Sequence, residues 1–112
     1  MNSSREDAVA LVSKWKSEST PLVGIFSSPG AGFRFGGFIV DFSPEQILVG
    51  HFSAAYEFSV RLDLATGFDY QDTREAPAEL RESSLARYVC CLTVLLPDDN
   101  HCRFYEVLRE SN

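Results

Sequence analysis

The sequence has little of the chemistry that marks a metal centre or a thiol catalyst. It contains two histidines and three cysteines. No Cys-x-x-Cys pair is present, and Cys90–Cys91 and His101–Cys102 are chain neighbours. Adjacent residues on a strand point to opposite faces, which opposes a shared tetrahedral site. An odd number of cysteines also fits an oxidising compartment poorly, so reduced, buried thiols are expected. Positive charge is scarce: 10 Lys and Arg stand against 16 Asp and Glu, a formal charge of -6. That excludes a general nucleic-acid coat protein and makes nucleic acid an unfavoured partner. No apolar run approaches the roughly 18 residues of a spanning helix, so no membrane is expected. Met1 to Asp7 is polar and lacks the basic and apolar regions of a secretory signal, which makes the cytoplasm the expected location.

What is present is a single-domain composition over residues 1–112. Hydrophobic residues make up 45 % and charged residues 23 %, a globular rather than a disordered balance. Nine Phe, four Tyr and one Trp put many rings into one small core or onto its surface.

The chain opens with a helix over 4–17. Ser4 can cap it, with Asp7 completing an acidic capping box. Ala8, Leu11, Val12 and Trp15 recur at helical spacing and form one apolar stripe. Lys14 and Lys16 suit the helix dipole, and Pro21 stops continuation. The stripe suits a sheet surface or a protein partner.

The first strand group covers 22–64. Leu22 to Phe26 is followed by a turn at Ser27 to Gly32, then by a long strand, Phe33 to Phe42. That strand is interrupted by Gly36-Gly37, which suggests a bend, a bulge or a close backbone approach. Ile47 to Phe52 follows a Ser43 to Gln46 turn. From Tyr56, strict alternation places Phe58, Val60, Leu62 and Leu64 on one face and Glu57, Ser59, Arg61 and Asp63 on the other. Residues 65–86 read as an acidic excursion with a short helix from Pro77. Between Asp63 and Ala86 six acids face two arginines. The last group, 87–109, is a hairpin turning at Pro97 to Asn100. Pairing Leu96 with His101 sets Leu92 against Tyr105 and Cys91 against Glu106. On that register Cys91 and Cys102 share a face ~13 Å apart, too far for one zinc ion.

The expected fold class is α+β, mainly β. An N-terminal amphipathic helix packs on a strongly bent antiparallel sheet or small barrel of five to six strands. The segment from Gly24-Ile25-Phe26 through Phe35-Gly36-Gly37-Phe38-Ile39-Val40-Asp41-Phe42 to Ile47-Leu48-Val49 resembles the Sm-like small barrels. In that family a glycine bend lies inside a strand, an Asp follows, and an apolar strand comes next. The resemblance covers residues 22–52. It implies a homo-oligomeric ring that binds single-stranded RNA on a loop surface, near Phe42 to Gln46 here. The family's loop Asn is not matched there, and Asp99-Asn100-His101 replaces its second motif. No functional residue is therefore carried over.

No other motif supplies chemistry. The glycines of 29–37 lead into a strand, whereas phosphate-binding loops lead into a helix. No Gly-x-Ser-x-Gly elbow occurs. The carboxylates show no spacing that would separate two pKa values in a cleft. No catalytic residue, metal ligand or cofactor is expected. The candidates for a ligand or interface are Trp15, Phe33, Arg34, Phe35, Phe38, Phe42, Tyr56 and Phe58. The expected function is non-enzymatic: binding another protein or a second copy in a homo-oligomer. The alternatives are a regulatory barrel for a small apolar ligand and an Sm-like RNA-binding ring.

Overall fold

A computed structural model describes residues 2–50, 57–72 and 88–107. The first strand, β1 (Asn2–Ser3), precedes helix α1 (Arg5–Ser17). The remaining strands are β2 (Leu22–Ser28), β3 (Ala31–Phe42), β4 (Gln46–Gly50), β5 (Glu57–Arg61), β6 (Gly67–Asp72), β7 (Tyr88–Leu95) and β8 (His101–Val107). They form one antiparallel sheet in the order β1-β6-β7-β8-β2-β3-β4-β5. β6 falls inside the acidic segment 65–86, whereas the short helix expected from Pro77 lies outside the described residues.

The α+β expectation therefore needs correction in its sheet. Among the described residues there are eight strands rather than five or six, and β1 and β5 are separate edges that do not pair with each other. The sheet is neither closed nor strongly bent. This removes the small barrel, and with it the Sm-like resemblance and the ring it implied.

The paired glycines sit where β3 changes neighbours. Gly36 and Gly37 are the last β3 residues paired to β2, and Phe38 is the first paired to β4. The pair thus marks the handover of one strand between two ladders. A Cβ on Gly37 would stand 1.9 Å from the Gly50 carbonyl oxygen, so glycine there admits the β4 backbone. Gly36 carries no such constraint, its nearest neighbour being 3.9 Å away. The one irregularity in β3 lies further on. Ile39 opposes Val49 and Asp41 opposes Leu48, so Val40 is an extra residue. This bulge leaves Val40 exposed and turns Phe42 onto the main core.

The helix begins as its sequence dictates. Ser4 Oγ accepts from the Asp7 amide at 3.1 Å, and Asp7 accepts from the Ser4 amide at 3.5 Å. Ala8, Val12 and Trp15 bury the stripe among Leu22, Phe35, Leu92 and Phe104. Arg5 anchors the first turn, donating to the Leu62 carbonyl at 2.6 Å with its guanidinium 5.4 Å from the Phe68 ring centre. At the other end the Trp15 indole N–H donates to Glu106 Oε1 at 2.7 Å.

The C-terminal hairpin is shifted by one residue from the expected register. Leu95, not Leu96, opposes His101, and Cys91 opposes Tyr105. The turn sets this offset. Leu96 N–H donates to Asn100 C=O, while Asp98 and Asp99 adopt φ of 62° and 60°. Asp tolerates that left-handed region better than most residues. Cys90 and Cys102 consequently join the helix-side core, and Cys91 packs with Tyr88 and Tyr105 on the opposite face.

Two substitutions test the glycine handover. Gly37→Ala is expected to cost at least about 2 kcal/mol in urea unfolding, because backbone must move. Gly36→Ala should stay within about 0.5 kcal/mol. Equal costs would show that the close approach of Gly50 is not what selects glycine. Replacing Glu106 with Leu leaves the buried indole N–H without its acceptor and should cost about 1–3 kcal/mol, with Glu106→Gln costing less.

Candidate functional site

The expected site residues separate into two environments. Trp15 is wholly enclosed, at 0 % exposure, and Phe35 is buried. Phe38, Phe42 and Phe58 are half-buried, Arg34 is exposed, and Tyr56 lies outside the described residues. Phe33 is the outlier among the rings, 46 % exposed.

Ring packing connects the two environments. Trp15 lies 6.4 Å from Phe104, which lies 6.0 Å from Phe35. Phe35 then meets Phe58 at 4.7 Å and Phe33 at 6.0 Å. Phe33 packs edge-on against Phe58 at 5.3 Å and tilted against Phe26 at 5.5 Å. The column therefore runs from beneath the helix to solvent. Gly24 makes room for it: a Cβ there would sit 2.0 Å from the Phe35 ring, its direct cross-strand partner.

Where the column surfaces, the sheet holds an open cleft of about 430 Å³. Phe26, Phe58, Val60, Leu64, Leu96 and Pro97 give it apolar walls. Ser59, Arg61, Asp98 and Asn100 supply its polar lining. Leu64 is 51 % exposed, more than expected for a continuing strand face, because β5 ends at Arg61. Arg61 grips Asp63 with two hydrogen bonds, of 2.8 and 2.5 Å. The hydrogen-bonded guanidinium holds the Asp63 carboxyl below its usual range.

β5 is one edge of the sheet, and its hydrogen-bond parity can be fixed. Leu62 N–H donates to Glu45 C=O at 2.7 Å, extending the β4–β5 ladder, in which Gln46 opposes Arg61. Bonded and non-bonded pairs alternate in an antiparallel ladder. Residues 58, 60 and 62 thus direct their backbone groups toward β4. Residues 57, 59 and 61 direct theirs outward.

The thiols offer no nucleophile near neutral pH. Burial, reinforced by the Glu106 charge, pushes Cys90 up to about 12. Burial also raises Cys91 and Cys102. All three cysteines are free and buried. His101 is shifted downward by burial and by Arg103. Among the described residues no group of three or more His, Cys, Asp or Glu could hold a metal ion. No helix among them is long and apolar enough to cross a membrane.

The residues that composition did not single out are Leu64, Leu96 and Pro97. Leu64 follows β5 and Leu96-Pro97 follow β7, so two turns far apart in sequence meet beside Phe26 and Phe58. Comparison with family models, with curated proteins and with solved structures gives no match.

The thiol environments predict a pH response. A thiol with a raised folded-state pKa keeps its proton in the native state while the unfolded chain loses its own. Its contribution is therefore complete below the unfolded value of 9.0 and is lost as pH climbs toward about 12 for Cys90. Urea unfolding midpoints should fall across that alkaline window. At pH 8 a thiol reagent should label none of the three cysteines until denaturant is added. Rapid labelling of native protein would contradict their burial.

Proposed function

We propose that this chain is a non-enzymatic protein-binding domain, acting on another protein or on its own copy through the aromatic cleft beside β5. One observation carries the reading. A column of packed rings ends at the surface in Phe33, next to an apolar cleft and an edge strand. An exposed ring fixed by neighbouring rings loses little freedom on binding, which is why rigid aromatics dominate binding energy at interfaces. The helix stripe plays no part in this, because the sheet already covers it. Acidic Asp63 and Asp98 beside the cleft favour a partner with basic groups at its periphery.

The cleft volume supports a second reading, a small apolar ligand, since ligand sites commonly span roughly 300–1,000 Å³. Binding assays separate the two. The native chain and its Phe33→Asp variant are compared in sedimentation over a concentration series and in retention of cell proteins on an affinity matrix. Protein binding predicts association, with self or with a retained protein, that weakens about tenfold or more in the variant at an unchanged unfolding midpoint. A monomer that retains nothing, yet takes up one equivalent of an apolar dye and loses it in Leu64→Asp, would favour the ligand.

A further inference from the structure

The β5 edge carries information about its occupant. Its sequence reads Glu57-Phe58-Ser59-Val60-Arg61. Its outward backbone groups belong to positions 57, 59 and 61, by the parity derived above. Placed antiparallel to itself about Ser59, this strand is self-complementary in three respects. Ser59 meets Ser59 of the other copy, and position 57 meets position 61, so every outward N–H and C=O finds a partner in a regular ladder. The same register sets Phe58 opposite Val60, an aromatic beside a β-branched residue on the face packed against the main core. It also sets the acid of position 57 opposite the base of position 61, twice over, by symmetry. A shift of one residue would break the backbone pairing, and a shift of two would lose one of the paired ends.

We propose that β5 is the seat of a two-fold homodimer, in which β5 of one copy pairs antiparallel with β5 of another, centred on Ser59. This rests on the protein-binding reading and identifies the partner as a second copy of the chain. Among the described residues no strand pairs with the outer side of β5, and it carries no proline to block addition. The exposed Phe33 and Leu64 stand close by and extend the contact beyond a short ladder. Arg61 already holds Asp63, and its five N–H donors leave capacity for a second carboxylate. The ladder is only five residues long, so a dissociation constant in the micromolar range is expected, ~10 µM.

Charge exchange tests the register directly. Sedimentation equilibrium is run on the full chain and on Arg61→Glu, Glu57→Arg and an equal mixture of the two variants. Each variant alone should dimerise about tenfold more weakly, because like charges now oppose. The mixture should recover the native affinity, since every acid again meets a base. Ser59→Pro supplies a second test. It removes an N–H that the β4–β5 ladder does not use, so the unfolding midpoint should hold while dimerisation is lost.

A native chain that stays monomeric well above ~100 µM overturns the dimer. If the Ser59 and Arg61 amides of that monomer also resist hydrogen exchange, the edge is covered within the chain. A dimer indifferent to all these variants overturns this register but leaves the protein-binding reading standing. A monomer that retains a foreign protein through Phe33 does the same.

Discussion

The indole of Trp15 is enclosed on every side, and an enclosed N–H must have an acceptor. Glu106 supplies it from β8 and takes the Cys90 thiol on the same oxygen, with Sγ 3.6 Å away. A helix residue and two sheet strands are thereby joined at one carboxylate. The position of the helix on the sheet follows. Trp15 fixes its last turn, Arg5 fixes its first through the Leu62 carbonyl, and the apolar stripe between them has one place to go. Phe104 packs against the indole, Phe35 against Phe104, and Phe58 against Phe35. The exposed ring of Phe33 is thus the surface end of packing that starts under the helix, and this is why it can be rigid without being buried.

The helix was legible because its determinants are local. Ser4, Asp7 and the spacing of Ala8, Val12 and Trp15 act within four residues of one another. Unlike β1 and β6, strands β2, β3, β4, β5, β7 and β8 were legible for the same reason, since alternation is a local property. Their assembly was not. β6 has only Phe68 and Tyr70 as rings in a segment whose acids resemble a loop, yet it lies between β1 and β7. Nothing local in Gly67 to Asp72 announces those neighbours. The hairpin register turned on the backbone of Asp98 and Asp99, whose positive φ values are a choice among several turns open to Pro-Asp-Asp-Asn.

The candidate site was legible as a list of rings and not as a place. Trp15 and Phe33 look alike in composition, and the fold sends one to the centre and the other to solvent. Gly36 and Gly37 look alike too. Only the distance to Gly50 distinguishes a required glycine from a tolerated one. The missing signals are long-range: they concern which strand lies beside which, and a single sequence encodes that weakly.

β2 has a peculiar position in the strand order. It is flanked by β3, which follows it after a two-residue turn, and by β8, which lies at the far end of the described chain. One side of β2 can be satisfied almost at once, and the other only after a large loop has closed. Until then, the row from Leu22 to Ser27 is an open template with apolar residues on both faces. A chain emerging in order from its N-terminus carries that template until β8 has been made. The hazard for this protein thus lies less in the finished edge than in a central strand that must wait for its second neighbour.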